Sequence, residues 1–270
     1  MEKLIITLAP TGNVPTKAMT PHVPVTAQEI AADIIACYEK GASVAHIHAR
    51  DDREAPTTEL RYFAEIVRLL DEAKCPIIKQ ISTGARGGKS GEARTEALAL
   101  SPASASLCPG SSNFPKSINA NEPSLVESMC KIMVERNIKP EIEVFDTAMI
   151  ANALQLQKEG LLKGPLLFNL VLGVKGSLPA TARNLFFLVE SLPPDAPWSV
   201  SVIGPNHVSL STVALALGGH VRVGIEDNIY YSKGVLATNA ALVERIAAIA
   251  KAVGREIATP DDVKRIWGIG

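Results

Sequence analysis

The chain has 270 residues, 47% of them hydrophobic and 20% charged, with a formal net charge of −1. That composition buries a full core without covalent staples, and a nearly neutral chain offers no electrostatic footprint for nucleic acid or an anionic membrane surface. The four cysteines, Cys37, Cys75, Cys108 and Cys130, are widely spaced with no CxxC pair, which excludes a thiolate zinc site and points to reduced thiols.

The first apolar stretch stops at Pro10, too short for a signal peptide or a membrane span, so a cytoplasmic protein is expected. From there, short apolar runs alternate with longer amphipathic ones. The predicted strands are Leu4–Ala9, Ser43–Ala49, Pro76–Ser82, Ala103–Leu107, Glu141–Phe145, Leu166–Leu172, Ser199–Gly204 and His220–Ile225. Between and after them lie helical windows at Ala27–Gly41, Thr57–Lys74, Glu92–Leu100, Glu122–Asn137, Ala148–Gly160, Ala182–Leu192, Leu210–Gly219 and Ala237–Gly254. Thr26 and Glu29 have capping-box spacing at the first helix. Eight βα units without an intervening linker predict one (β/α)8 TIM barrel over residues 1–270. A doubly wound open sheet is the competing architecture, but no GxGxxG follows the first strand.

In such a barrel the chemistry sits at the C-terminal ends of the strands. On the second strand, His46 and His48 are two residues apart, so strand alternation turns both to one face about 7 Å apart at Cα. Two readings stand: a metal-ligand pair, or a hydrogen-bonded core pair. A catalytic zinc site takes three protein ligands and leaves a position open, and Glu226, just beyond the last strand at the neighbouring end of a closed barrel, is the candidate carboxylate, its alternative being a helix N-terminal cap or, with Asp227, a solvated loop pair. Zn²⁺ is the expected ion, with Co²⁺ and Mn²⁺ compatible with the same N/O donors. Asp227 follows Glu226; Arg222, four residues earlier, is placed to hold Asp227 or a substrate carboxylate. Glu143 on the fifth strand is a candidate to orient a ligand or an arginine, and Ser82, Thr83 and Ser106 offer hydroxyls at strand ends. Each has a structural alternative: a salt-bridged barrel carboxylate for Glu143, an ordinary glycine turn for Ser82 and Thr83. His22, His207 and His220 lack ligand spacing and are read as structural, and Cys108 has no basic neighbour in sequence.

Taken together, the segments LIITLAPTG, GASVAHIHARDD, ISTG, SLCPGSSNF, KPEIEVFD, FNLVLGVKG and GGHVRVGIEDNIYYSKGVLATNAALVERI resemble the β-keto acid cleavage enzymes over nearly the whole chain. The resemblance implies a zinc-dependent, homotetrameric barrel that condenses a β-keto acid with acetyl-CoA and cleaves the product to acetoacetate and a new acyl-CoA through an enolate. It implies metal ligands at His46, His48 and Glu226, substrate contacts at Ser82, Ala85 and Ser106, and a proton relay of Arg222 and Asp227. Departures are informative. Val14 stands where an aminohexanoate-cleaving relative carries a Glu that contacts the substrate ammonium, so a neutral or apolar substituent is expected. Arg86 offers a charge for a second carboxylate, as in β-ketoglutarate; Ala85 replaces a Gly, Ser106 a Thr, and Pro205 an Arg found in many relatives. Two other functions fit the same residues: a metal-dependent aldolase that works without CoA, and a non-catalytic barrel that binds a metabolite.

Overall fold

Along the predicted strands, branched apolar residues alternate with small or polar ones. A sheet that closes on itself while burying helices on its outer face needs that pattern. A computed structural model describes residues 2–84, 91–114 and 117–269. Its barrel strands are β1 (Ile6–Leu8), β2 (Val44–Ile47), β3 (Ile78–Ile81), β4 (Ser104–Leu107), β5 (Lys139–Val144), β6 (Leu167–Leu172), β7 (Trp198–Val202) and β8 (His220–Val223). They close in the order β1-β8-β7-β6-β5-β4-β3-β2, with parallel pairing throughout. The pairing of Thr7 with Arg222 and Leu8 with Val223 closes the ring, which rules out the open doubly wound sheet.

The helices are α1 (Ala27–Glu39), α2 (Leu60–Glu72), α3 (Gly91–Thr95, continued as a 3₁₀ turn through Leu100), α4 (Pro123–Glu135), α5 (Thr147–Lys158), α6 (Ala182–Glu190), α7 (His207–Ala216), α8 (Asn239–Ala252) and α9 (Pro260–Trp267). Thr26 and Glu29 form the expected capping box at α1. The third window is shorter and tighter than an α-helix, whereas α9 lies wholly beyond the last predicted window. Its signal was present: Thr259 and Asp262 make a second capping box, with Pro260 in the first turn.

Two apolar layers result. Outward residues such as Leu8, Ile47, Ile142, Leu170, Val200 and Val221 pack against the buried faces of the helices. Inside, at the N-terminal end, Ile5, Val44, Ile78 and Leu167 meet Ala258, Val263 and Trp267, so α9 plugs the bottom of the barrel. Above that plug the interior is polar: Thr7, His46, Gln80, Ser104, Glu141, Asn169, Ser201 and Arg222 are all buried. Buried polar groups must find partners, and those they find define the site. Hairpins pairing 49–50 with 56–57, 112–114 with 117–119 and 230–232 with 235–236 follow β2, β4 and β8 at the opposite, C-terminal mouth.

Candidate metal centre and active site

Register brings the ends of β2 and β8 to either side of β1: Leu8 pairs with Ala45 on one edge and with Val223 on the other. His46 is one residue past Ala45, and Glu226 three past Val223. The chain turns inward after β8 because of Gly224. Its φ is +156°, and a Cβ there would lie 1.9 Å from the Ala9 carbonyl oxygen. The Glu226 amide then donates to that carbonyl at 3.2 Å, while Asn239 accepts from the Ile225 amide at 2.7 Å and donates to the Pro10 carbonyl. The strap before Glu226 is thereby tied to β1 and to the start of α8.

The result is a compact donor set. His48 Nε2 lies 3.4 Å and His46 Nε2 3.9 Å from Glu226 Oε1, the imidazole centroids are 5.2 Å apart, and all three candidate ligand atoms fall within 4.8 Å of one another. Among the described residues this is the one His/Cys/Asp/Glu group so arranged. His46 Nδ1 bonds Gln80 Oε1 at 2.7 Å, leaving Nε2 as the ring nitrogen aimed at Glu226. Burial, with Arg222 and His48 adding to it, lowers His46 to about 3 against the opposing pull of Glu226 and Gln80, so the ring is neutral and its lone pair available. Burial alone would raise Glu226; the Arg222 charge and the two histidines overcome it and hold the carboxylate well below its usual range. Glu226 Oε2 is buried without a hydrogen-bond partner. Two imidazoles, an ionised carboxylate and an unpartnered carboxylate oxygen are a donor set that suits a divalent cation.

Arg222 organises the acidic side. Its Nε and Nη2 donate to the two oxygens of Asp227 at 3.0 Å each, Nη2 also reaches Glu226 Oε1 at 2.6 Å, and Nη1 lies 3.5 Å from Glu143 Oε1. Burial would lower this guanidinium, but the three carboxylates hold it well above its usual value. Glu143 is raised, chiefly by burial, with Arg222 opposing. Below it, burial and the Glu143 charge lift Glu141 to about 7.

The hydroxyl candidates divide. Thr83 is committed to joining β3 and β4: its Oγ1 donates to the Ser106 carbonyl at 2.8 Å and its amide to Ser106 Oγ at 3.2 Å. Ser82 Oγ accepts from the Gly84 amide at 3.2 Å. Val14 is half exposed on the loop after β1, and Arg50 clamps that loop by donating to the Gly12 and Pro15 carbonyls at 2.7 and 2.9 Å. Ala85 and Arg86 lie outside the described residues. His220 is structural, its Nδ1 accepting from the Ile5 amide at 3.1 Å. Cys108 is buried, and burial pushes its thiol up to about 12, which leaves it unreactive.

Residues 3–269 match the sequence model of the family described as beta-keto acid cleavage enzyme. The chain belongs to that family. It is 44% identical over 272 residues to the 3-keto-5-aminohexanoate cleavage enzyme of Fusobacterium nucleatum, covering 100% of this chain and 99% of the relative. It is 39% identical over 269 residues to the 3-oxoadipate:acetyl-CoA acetyltransferase of Cupriavidus necator, covering 98% and 94%. Among solved structures, apo ObcA shares the fold with a TM-score of 0.81 at 24% identity, covering 94% of this chain and 67% of that one.

Three residues beside this donor set escaped the sequence reading. Gln80 sits opposite His46 in the β2–β3 register, a polar inward position in an apolar strand. Arg50 continues the alternation of His46 and His48. Gly12 has a φ of +61°, and a Cβ there would come 2.4 Å from Glu226 Cγ. Gly12→Ala therefore displaces the Glu226 side chain in addition to straining the turn. If this donor set binds a divalent cation, titration with a chromophoric chelator is expected to show the cation held at least about 10-fold more weakly, comparable with loss of a supporting contact; unchanged affinity would mean that Glu226 is not positioned by this contact.

Proposed function

We propose that the protein condenses a β-keto acid with acetyl-CoA and cleaves the adduct to acetoacetate and a new acyl-CoA. The observation that carries this reading is the meeting of His46, His48 and Glu226 beside the Arg222–Asp227 pair in a chain of this family. In it, His46, His48 and Glu226 hold Zn²⁺, with Co²⁺ and Mn²⁺ as substitutes the donor set accepts. When bound, the cation supplies Lewis acidity that lowers the cost of enolate charge on the keto acid.

The protein groups then divide the work. Asp227, oriented by the two Arg222 bonds, takes the C2 proton of the keto acid on its carboxylate. The carbanion adds to the acetyl-CoA thioester carbonyl, and the C–S bond breaks with release of CoA thiolate. The thiolate adds to the original ketone carbon, the bond between that carbon and C2 breaks, and the new acyl-CoA departs. Asp227 returns the proton to C2 and acetoacetate leaves, so protons and electron pairs balance over the cycle. Glu143, through Arg222, keeps the relay in place, and Ser82, Thr83 and Ser106 shape the floor beside it. Arg86 and Ala85 complete the substrate side in this reading.

Val14 selects the acyl substituent. An ammonium placed against an apolar side chain gains no counter-charge for the hydration it gives up, so keto acids with neutral or apolar substituents are favoured over cationic ones. Four free, buried cysteines suit a reducing cytoplasm, and none of the described helices is long and apolar enough to cross a membrane. The same reading carries a homotetramer, which light scattering tests.

Purified protein with zinc, acetyl-CoA and a panel of β-keto acids is expected to form acetoacetate only when both substrates are present. Turnover of no acid in a broad panel would defeat the reading, acetoacetate formed without acetyl-CoA would indicate an aldolase, and tight keto-acid binding without turnover a metabolite-binding barrel. Asp227→Asn keeps the shape of the relay but removes its base; it is expected to retain metal content while kcat falls roughly 10²- to 10⁴-fold. Loss of zinc in that variant would place Asp227 among the ligands instead.

A further inference from the structure

The His46 ring must present a bare Nε2 to be a ligand, and which nitrogen carries the proton is decided by what Nδ1 meets. It meets Gln80 Oε1 at 2.7 Å, both side chains fully buried. A glutamine amide is ambiguous by itself, since turning it over would offer Nδ1 an N–H donor and leave the proton on Nε2. One further contact bears on which way it faces. Gln80 Nε2 donates to Ser104 Oγ at 3.3 Å, so with Oε1 on the ring both polar atoms of the buried amide are partnered.

We propose that Gln80 is a positioning residue that holds His46 in the Nδ1–H form. The chain of contacts runs Ser104 to Gln80 to His46 across three strands, β4, β3 and β2. It explains why an apolar strand spends an inward position on an amide. The inference rests on His46 being a ligand, as argued under the proposed function.

The test separates the two. In full-length protein stripped of metal and labelled with ¹⁵N-histidine, long-range ¹H–¹⁵N correlation is expected to report His46 as the Nδ1–H tautomer. Gln80→Leu is expected to shift the ring toward Nε2–H and to lower zinc affinity, read by chelator competition, roughly 10- to 100-fold. Gln80→Glu, whose carboxylate accepts from Nδ1–H either way round, restores the tautomer. A wild-type ring in the Nε2–H form, or Gln80→Leu with both tautomer and zinc affinity unchanged, overturns the proposal. Should Gln80→Leu fail to fold, the wild-type tautomer and that of Gln80→Glu decide it. Zinc retained at full affinity by His46→Ala would instead count against the ligand reading, because the tautomer is measured without metal.

Discussion

His46→Ala is expected to lose its zinc and its turnover together. The substitution removes one of three nitrogen and oxygen donors from a cluster that spans 4.8 Å, and leaves Glu226 and His48 as a pair too few to hold a catalytic ion. Affinity should fall by more than the roughly 100-fold that loss of a supporting hydrogen bond causes. Rate should fall by more than about 10³-fold, the upper end of what one electrostatic stabiliser of a developing oxyanion contributes. Metal content by atomic emission and kcat/KM with acetyl-CoA and the best keto acid measure the two effects on one preparation. A zinc-free variant that still turns over would remove the metal from the chemistry altogether.

The second large effect concerns Arg222. Its buried guanidinium faces Asp227, Glu226 and Glu143, so Arg222→Met leaves three carboxylates crowded without a counter-charge. Breaking a buried ion cluster from one side costs about 3–5 kcal/mol, which for a chain of this size lowers Tm by roughly 6–20 °C.

The loss has a sign in pH. In the wild-type protein Glu226 is held below its unfolded value, so its contribution is present above about 4.5 and disappears only as pH falls through the depressed folded value. Without Arg222, burial dominates and the folded-state values of Glu226 and Glu143 move up, so the variant takes up protons on folding and loses stability as pH rises through them. The gap in Tm between the two proteins, measured by calorimetry with chelator present, should therefore widen from pH 4.5 to pH 7.5. A small gap that does not change with pH would mean that the cluster is not electrostatically coupled as its geometry implies.

Much of this was legible in the residues. Eight apolar runs at βα spacing predict the barrel, because strand and helix periodicity are local properties of the chain. The shared face of His46 and His48 follows from strand alternation, and the spacing of Arg222 to Asp227 puts guanidinium and carboxylate within reach across a turn. Even α9 carried its own start signal in Thr259, Pro260 and Asp262, although its task of sealing the barrel floor with Trp267 is invisible until the strands close over it.

What the tertiary structure decided is everything that depends on register between distant strands. Glu226 reaches the histidines because β1 pairs with both β2 and β8, because Gly224 lets the chain cross the Ala9 carbonyl, and because Gly12 leaves room for its stem. Gln80 becomes a partner of His46 only through the offset that sets them side by side, and Thr83 proves to be spent on holding β4. A sequence declares which residue types face inward, since that repeats every second residue. Which inward side chain meets which across a closed ring is fixed by shear and by backbone close approach, and neither has a local signature.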